Sequence, residues 1–152
     1  MTKKGPRRAV SERGGAGRSR GARVARLRTR RLVVEDRAHG LRLEAVCVRC
    51  GEDLVVVVGG GARPHVGASA LAISLPSLKD PARLTQSSYL ASVPGHKEEA
   101  LARDGALRLA ERLGRHVVVT VGIHDDGADR ARIEGYLALF ERLVERVAAA
   151  ER

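Results

Sequence analysis

The chain has 152 residues, the length of one ordinary domain with a single core. It contains one Phe, two Tyr and no Trp, so Val, Leu, Ile and Ala must form the core, and base stacking on aromatic side chains is nearly excluded. Two cysteines exclude a disulfide scaffold. Because no run of about 18 apolar residues and no signal peptide is present, we expect a soluble, cytoplasmic protein without a membrane partner.

The net charge of +10 comes from the N-terminal segment. Residues 1–31 hold 12 of the 28 basic residues and one of the 18 acidic residues, which leaves 16 bases and 17 acids for the remainder. We expect residues 1–30 to be a disordered basic arm and residues 31–152 to be a single domain. Nucleic-acid binding by the arm is an alternative, but the domain has no basic stripe that would extend such a surface.

The first half of the domain is predicted to form three strands. Residues 41–49 alternate between apolar and polar side chains, which indicates a half-buried strand. Residues 54–58, LVVVV, indicate a strand buried on both faces, and residues 65–74 indicate a third strand of small residues. Residues 75–95 are rich in Pro and Ser, so we predict a long loop there.

The second half is predicted to form helix, strand and helix. Residues 97–113 have a helical apolar face that Gly114 ends, and residues 116–123 are the best candidate for a central strand. Asp125 or Asp126 is expected to cap the last helix. Its apolar positions follow helical spacing: Ile133, Leu137, Phe140, Val144 and Val147. The order β-β-β-α-β-α predicts an α+β sandwich, a mainly antiparallel sheet packed by two helices.

The segment GGGARPHVGA, residues 59–68, has the composition of a shaped loop. It does not fit the dinucleotide fingerprint GxGxxG, because Pro64 stands where the third glycine is required, and no GK[ST] follows. A phosphate held here would be bound by backbone N–H groups outside those two folds. The alternative is a tight turn between two strands.

Three histidines lie in loop-like segments between predicted elements: His65, His96 and His124. They could bind a metal ion together with Asp125 or Asp126. No HxH or HExxH pair supports this, and the alternative is that each imidazole binds a loop backbone or caps a helix.

Only two lysines follow the basic arm, Lys79 in SLKDP and Lys97 in GHKEE. An ammonium group suits a phosphate or carboxylate ligand, and Lys97 begins a helix whose free N–H groups favour anions. Glu98 and Glu99 would repel an anion at that position. The alternative is that the two lysines occur in these motifs by coincidence.

Neither the cysteines nor the serines form a recognisable reactive site. CVRC, residues 47–50, resembles half of a zinc ribbon, but no second pair exists, so we interpret the pair as incidental. No serine lies in GxSxG or in another nucleophile motif. The sequence therefore favours an accessory protein over an enzyme.

Four motifs, in this order and spacing, resemble the LpdD-type family of prenylated-flavin chaperones, known from a subunit associated with gallate decarboxylase. They are GGG-x-x-PHVGA, PSLKDP, PGHKEE and VVVTVGIHDD, within residues 40–146. The residues on the family pattern are Gly60, Pro64, His65, Gly67, Ala68, Lys79, Asp80, Gly95, His96, Lys97, Glu98, Gly122, His124 and Asp126. The arm and the cysteine pair have no counterpart that we recognise.

The resemblance implies a non-catalytic helper that carries prenylated FMN, held transiently, to a UbiD-type decarboxylase. It also implies a homodimer and a fold similar to the proteasome-assembling chaperones. The candidate cofactor-binding residues are Gly60, Gly61, Pro64, His65, Gly67, Lys79, His96, Lys97 and His124. In this reading the lysines meet the phosphate and the histidines line the pocket. The alternative function is a metal-dependent hydrolase that uses His65, His96 and His124.

Overall fold

A computed structural model describes residues 26–152 as six strands and two helices. In chain order the elements are β1 (Arg28–Asp36), β2 (Leu41–Cys50), β3 (Asp53–Gly61), β4 (Ala68–Pro76), β5 (Leu84–Ser92), α1 (Glu99–Leu113), β6 (Val117–His124) and α2 (Arg130–Ala150). Within these residues, neither helix is long and apolar enough to cross a membrane.

The six strands form one sheet in the order β1-β2-β3-β6-β4-β5. Every neighbouring pair is antiparallel except β3 and β6, which run parallel at the centre of the sheet. Both helices pack on the same face, with α1 against β4, β5 and β6 and α2 against β1 and β2. The predicted α+β class, with a mainly antiparallel sheet and two helices, is confirmed.

The predicted loop over residues 75–95 is wrong, because β5 lies within it and pairs with β4 from Pro76↔Leu84 to Ala68↔Ser92. β5 is an edge strand whose side chains are mostly exposed, so its sequence, LTQSSYLAS, has no apolar alternation. The other edge strand, β1, was also missed and begins at Arg28, inside the predicted arm. The predicted disorder of the arm falls mainly on residues 1–25, outside the described residues.

The predicted cap of the last helix is also wrong. Asp129 is the N-cap of α2, and its carboxylate accepts a hydrogen bond from the backbone N–H of Arg132 at 2.9 Å. Asp125 instead pairs with the guanidinium of Arg132, and Asp126 bonds to His124. Both carboxylates are therefore engaged before the helix begins.

The strand over residues 54–58 is buried on one face only, contrary to prediction. Leu54, Val56 and Val58 face the helices and lie in the core, whereas Val57 points to the opposite face and is 44 % exposed. This difference arises because both helices cover the same side of the sheet. The other side, here called the open face, carries Val55, Val57, Val118, Leu71 and Tyr89.

The glycine-rich segment folds back over the end of the open face. A Cβ atom at Gly59 would lie 3.1 Å from the Pro64 side chain, and one at Gly122 would lie 1.8 Å from the His65 carbonyl oxygen. Gly61 has a φ of +73°, which lets Ala62 donate a hydrogen bond to the His124 carbonyl at 2.7 Å. The glycines at residues 59–61 and 122 thus allow two stretches of backbone to lie in contact.

The two cysteines lie in different environments. Cys47 is buried in the core, and Cys50 is exposed at the end of β2 on the opposite face of that strand. Burial raises the pKa of the Cys47 thiol to about 11. The two sulfurs therefore cannot share a ligand, which agrees with an incidental pair.

We predict that an aromatic disulfide reagent labels one thiol of the native protein quickly and two thiols in denaturant. Cys47 stays protonated until the pH approaches its raised pKa, and its burial blocks access. A Cys50→Ser variant should show no fast labelling at pH 8. Two equally fast thiols in the native protein would contradict the burial of Cys47.

We predict that Gly122→Ala lowers the free energy of unfolding by at least about 2 kcal/mol, because its methyl group overlaps the His65 backbone. The measurement is the midpoint of urea denaturation. Val118→Ala, on the same strand and the same face, is the matched control. A cost no greater than that of the control would show that the 62–67 loop moves away freely.

Candidate functional site

Three loops meet at the end of the sheet where β3 and β6 finish. Because these two strands are parallel, the β3–β4 loop and the end of β6 are neighbours. The β5–α1 connection reaches the same end, since β5 returns antiparallel to β4. These loops bring together His65, His96 and His124, whose rings are 4.5 Å apart for His65–His96 and 5.9 Å apart for His65–His124.

A buried carboxylate, that of Glu98, lies beside two of these histidines. Glu98 is only 8 % exposed, and its Oε1 accepts a hydrogen bond from the Ile123 N–H at 3.2 Å. The same oxygen is 3.4 Å from His65 Nε2, and Oε2 is 3.8 Å from His96 Nδ1. The two rings are themselves bonded, with 2.8 Å between His65 Nε2 and His96 Nδ1. We call these three residues the His-His-Glu cluster.

The backbone of Gly67 makes room for this carboxylate. A Cβ atom at residue 67 would lie 2.7 Å from Glu98 Oε2 and 2.8 Å from Glu98 Cδ. Sequence reasoning treated Glu98 as a surface acid in the first turn of a helix and missed its central position. The available signals were its spacing of two residues from His96 and a glycine just before β4. Neither of these signals reveals burial.

His124 belongs to a second, more exposed network with Arg63 and Asp126. Its Nε2 is 2.7 Å from Asp126 Oδ1 and 2.8 Å from Arg63 Nη2. That nitrogen either donates to the carboxylate or accepts from the guanidinium, so the two bonds alternate. The hydrogen bond from His124, with the charge of Arg63, lowers the pKa of Asp126. Nothing in the sequence pattern singled out Arg63.

A cleft of about 500 Å³ opens beside these groups, between the N-terminal turns of α1 and α2. This volume falls within the roughly 300–1,000 Å³ of small-molecule sites. Its polar lining comes from His96, Lys97, Glu98 and His124, and its apolar lining comes from Leu101 of α1 and from Ile133 and Leu137 of α2. The first backbone N–H groups of α1, including those of Ala100 and Leu101, have no partner within the helix.

The predicted apolar face of α2 lies only partly in the core, because its first turns line the cleft instead. Phe140, Val144 and Val147 are buried in the core, but Ile133 and Leu137 are 51 % and 44 % exposed because they border the cleft. Asp125 also lines the cleft, and its charge is balanced by the guanidinium of Arg132 at 2.7 Å. The cleft is thus apolar along α2 and polar along the start of α1.

The predicted cofactor-binding residues divide among three places. His96, Lys97 and His124 line the cleft, and His65 and Gly67 contact Glu98 behind it. Gly60, Gly61 and Pro64 line a smaller cavity of about 300 Å³, together with residues of β2 and β3. Lys79 follows the far end of β4, a strand of nine residues that spans roughly 30 Å, so it does not join Lys97.

Comparisons with known proteins bear on the fold and the family of this chain. The structure is similar to a chain of a chaperone complex for yeast 20S proteasome assembly, with a TM-score of 0.54 and 14 % identity, over 82 % of this chain and 97 % of that chain. At this identity the likeness shows the fold alone. No curated protein matches the sequence. A sequence model of the prenylated flavin chaperone LpdD-like domain matches residues 37–151, which include every segment of the site. The resemblance drawn from the four motifs is thereby confirmed, and the chain belongs to the prenylated flavin chaperone LpdD-like family.

Proposed function

We propose that this protein is a non-catalytic carrier that binds prenylated FMN in the cleft and delivers it to a UbiD-type decarboxylase. The observation that carries the proposal is the pairing of an apolar wall with a helix start that offers free N–H groups and the ammonium of Lys97, in a chain of the prenylated flavin chaperone family. Prenylated flavin mononucleotide has two parts that match these features: a large ring system for the apolar wall and a phosphate for the helix start.

The phosphate fits the start of α1. Free N–H groups at a helix N-terminus bind anions, and the exposed ammonium of Lys97 lies next to them. Each of the two neighbouring acids already accepts a hydrogen bond from another part of the chain. Glu98 accepts from Ile123 and contacts the two imidazoles, and Glu99 accepts a hydrogen bond from Ser92 at 2.5 Å.

The ring system fits the apolar wall along α2. Ile133 and Leu137 stand exposed one helical turn apart, with Leu101 of α1 opposite them. Covering such side chains with a ring removes apolar surface from water, at about 25 cal/mol per Å². Because the cleft stays open to solvent on one side, the cofactor can leave again, as delivery to an enzyme requires.

Three further parts of the reading stay predictions. A homodimer is supported by the exposed apolar side chains of the open face. A cytoplasmic location and the lack of catalysis follow from the sequence arguments alone. The hydrolase alternative is less favoured, because His124 Nε2 is bonded to Asp126 and Arg63 rather than turned toward the other histidines.

We predict that Lys97→Ala weakens the binding of prenylated FMN by about tenfold or more, because a charged hydrogen bond to the phosphate is lost. Binding is measured by absorbance and calorimetry, with plain FMN for comparison. Lys79→Ala is the matched control, since it removes the same charge at the opposite end of β4. Equal losses in the two variants, or no binding by the wild type, would reject this site.

We predict that Leu137→Ser weakens the same binding by about fivefold or more, through the apolar contact that it removes. The residue is 44 % exposed, so we expect the fold to tolerate the change. Leu71→Ser, at 36 % exposure on the open face, is the control. If Leu71→Ser reduces affinity as much as Leu137→Ser does, the ring does not lie along α2.

A further inference from the structure

We infer that the His-His-Glu cluster is a binding site for one divalent transition-metal ion, with an open coordination position toward the cleft. The ligand atoms are Nε2 of His65, Nδ1 of His96 and the carboxylate of Glu98, and all lie within 4.8 Å of one another. This inference rests on the geometry of these three side chains and stands independently of flavin binding.

The distances suit a small ion. His65 Nε2 and His96 Nδ1 are 2.8 Å apart, and the carboxylate oxygens are 3.4 Å and 3.8 Å from these two nitrogens. A tetrahedral ion with bonds of 2.0–2.2 Å holds neighbouring ligand atoms roughly 3.3–3.6 Å apart. To bind the ion, the two imidazole nitrogens must move apart by roughly half an ångström, and the distances to the carboxylate oxygens must change less.

The donor set identifies the class of ion. Two imidazoles and one carboxylate are the ligands of catalytic zinc sites and of non-haem iron(II) sites, which keep positions open for water or another ligand. Magnesium and calcium prefer oxygen ligands and would not select two ring nitrogens. His96 and Glu98 both line the cleft, so the open position faces it.

The carboxylate of Glu98 is a buried anion with little compensation from neighbouring groups. Glu98 Oε2 is buried and has no hydrogen-bond partner within the part of the chain that the structure describes. Among residues 26–152, no arginine or lysine lies within 4.0 Å of this carboxylate, and its contacts with charged groups are the two histidines. A buried acceptor left unpaired is unfavourable, and a bound cation would relieve this.

The surrounding bonds orient the ligands as they do in known metal sites. His65 Nδ1 is 3.2 Å from the Arg63 carbonyl, which can accept its hydrogen bond in the tautomer that leaves Nε2 free to coordinate. Glu98 Oε1 is fixed by the Ile123 N–H, which leaves Oε2 available. His96, which is half-buried, then carries its own proton on Nε2 when Nδ1 binds the ion.

The test uses the full chain without an affinity tag, in a Cys50→Ser background that removes the exposed thiol. The protein is treated with EDTA, dialysed and titrated with Zn²⁺ by calorimetry, and with Co²⁺ by visible absorbance. We expect one ion per chain, with a dissociation constant of micromolar or below. His96→Ala and Glu98→Gln should each weaken binding by about 100-fold or more, since changes at outer-shell partners alone cost 10–100-fold.

His124→Ala is the matched control, because it removes a neighbouring imidazole outside the ligand set and should change affinity by less than about threefold. His96 is the more tolerant ligand to replace, so that variant keeps the test valid if Glu98→Gln does not fold. Binding well below one equivalent, or an unchanged affinity in His96→Ala, would overturn the inference. The cluster would then be a hydrogen-bonded link between the 62–67 loop and α1.

The test of the metal site and the test of flavin binding can fail independently of each other. Zinc is titrated without flavin, and prenylated FMN is titrated against protein that is kept in EDTA. Flavin binding without any zinc binding rejects only the metal site. Zinc binding with no flavin binding, with or without the ion, rejects only the carrier function.

Discussion

The parallel pairing of β3 with β6 is the constraint on which the rest of the structure depends. A parallel neighbour requires a crossover, and here the crossover contains the β4–β5 hairpin and α1. This connection returns the chain so that α1 and α2 both begin at the end where β3 and β6 finish. The cleft and the His-His-Glu cluster lie at that end because the strand order leaves no other place for the helix starts.

Close backbone approach is the second requirement, and it explains where glycine is used. Gly67 lies against the Glu98 carboxylate, and Gly122 lies against the His65 backbone. Without side chains at these two positions, the 62–67 loop reaches across β6 and presents His65 to His96. The loop that first suggested a phosphate cradle is therefore shaped by contacts within the chain, and of the two lysines expected to meet the phosphate, Lys97 lies at the cleft and Lys79 does not.

The core elements could be predicted from the sequence, whereas the edges and the site geometry could not. β2 carries apolar side chains at period two, β3 stands out as a continuous apolar run, and α1 ends at Gly114 as its pattern indicates. β5 was missed because an edge strand with few buried side chains has no such period. Because β4 and β5 form a hairpin, Lys79 lies in the turn at one end of the sheet and Lys97 lies after β5 at the other end.

The histidines of the site could be predicted from the sequence, but the buried carboxylate beside them could not. The loops that carry His65, His96 and His124 could be read as a group, because each lies where an element begins or ends. The burial of Glu98 could not, since it arises from Gly67 and Ile123, which are distant in sequence. The N-cap of α2 was assigned to Asp125 or Asp126 instead of Asp129 for a related reason. The carboxylates of Asp125 and Asp126 bond to Arg132 and His124, and no local sequence pattern indicates these contacts.

The two outer strands of the sheet differ in chemistry, and this has a consequence for contacts with other chains. β1 carries charges at both ends, with Arg28, Arg30 and Arg31 at its start and Glu35 and Asp36 at its finish, and charged side chains on an edge strand discourage the addition of another strand. β5 carries Thr, Gln, Ser and Tyr but no charge, so its unpaired N–H and C=O groups can accept another extended segment. An added strand would therefore lengthen the sheet at β5, beside Ser92 and the first turn of α1.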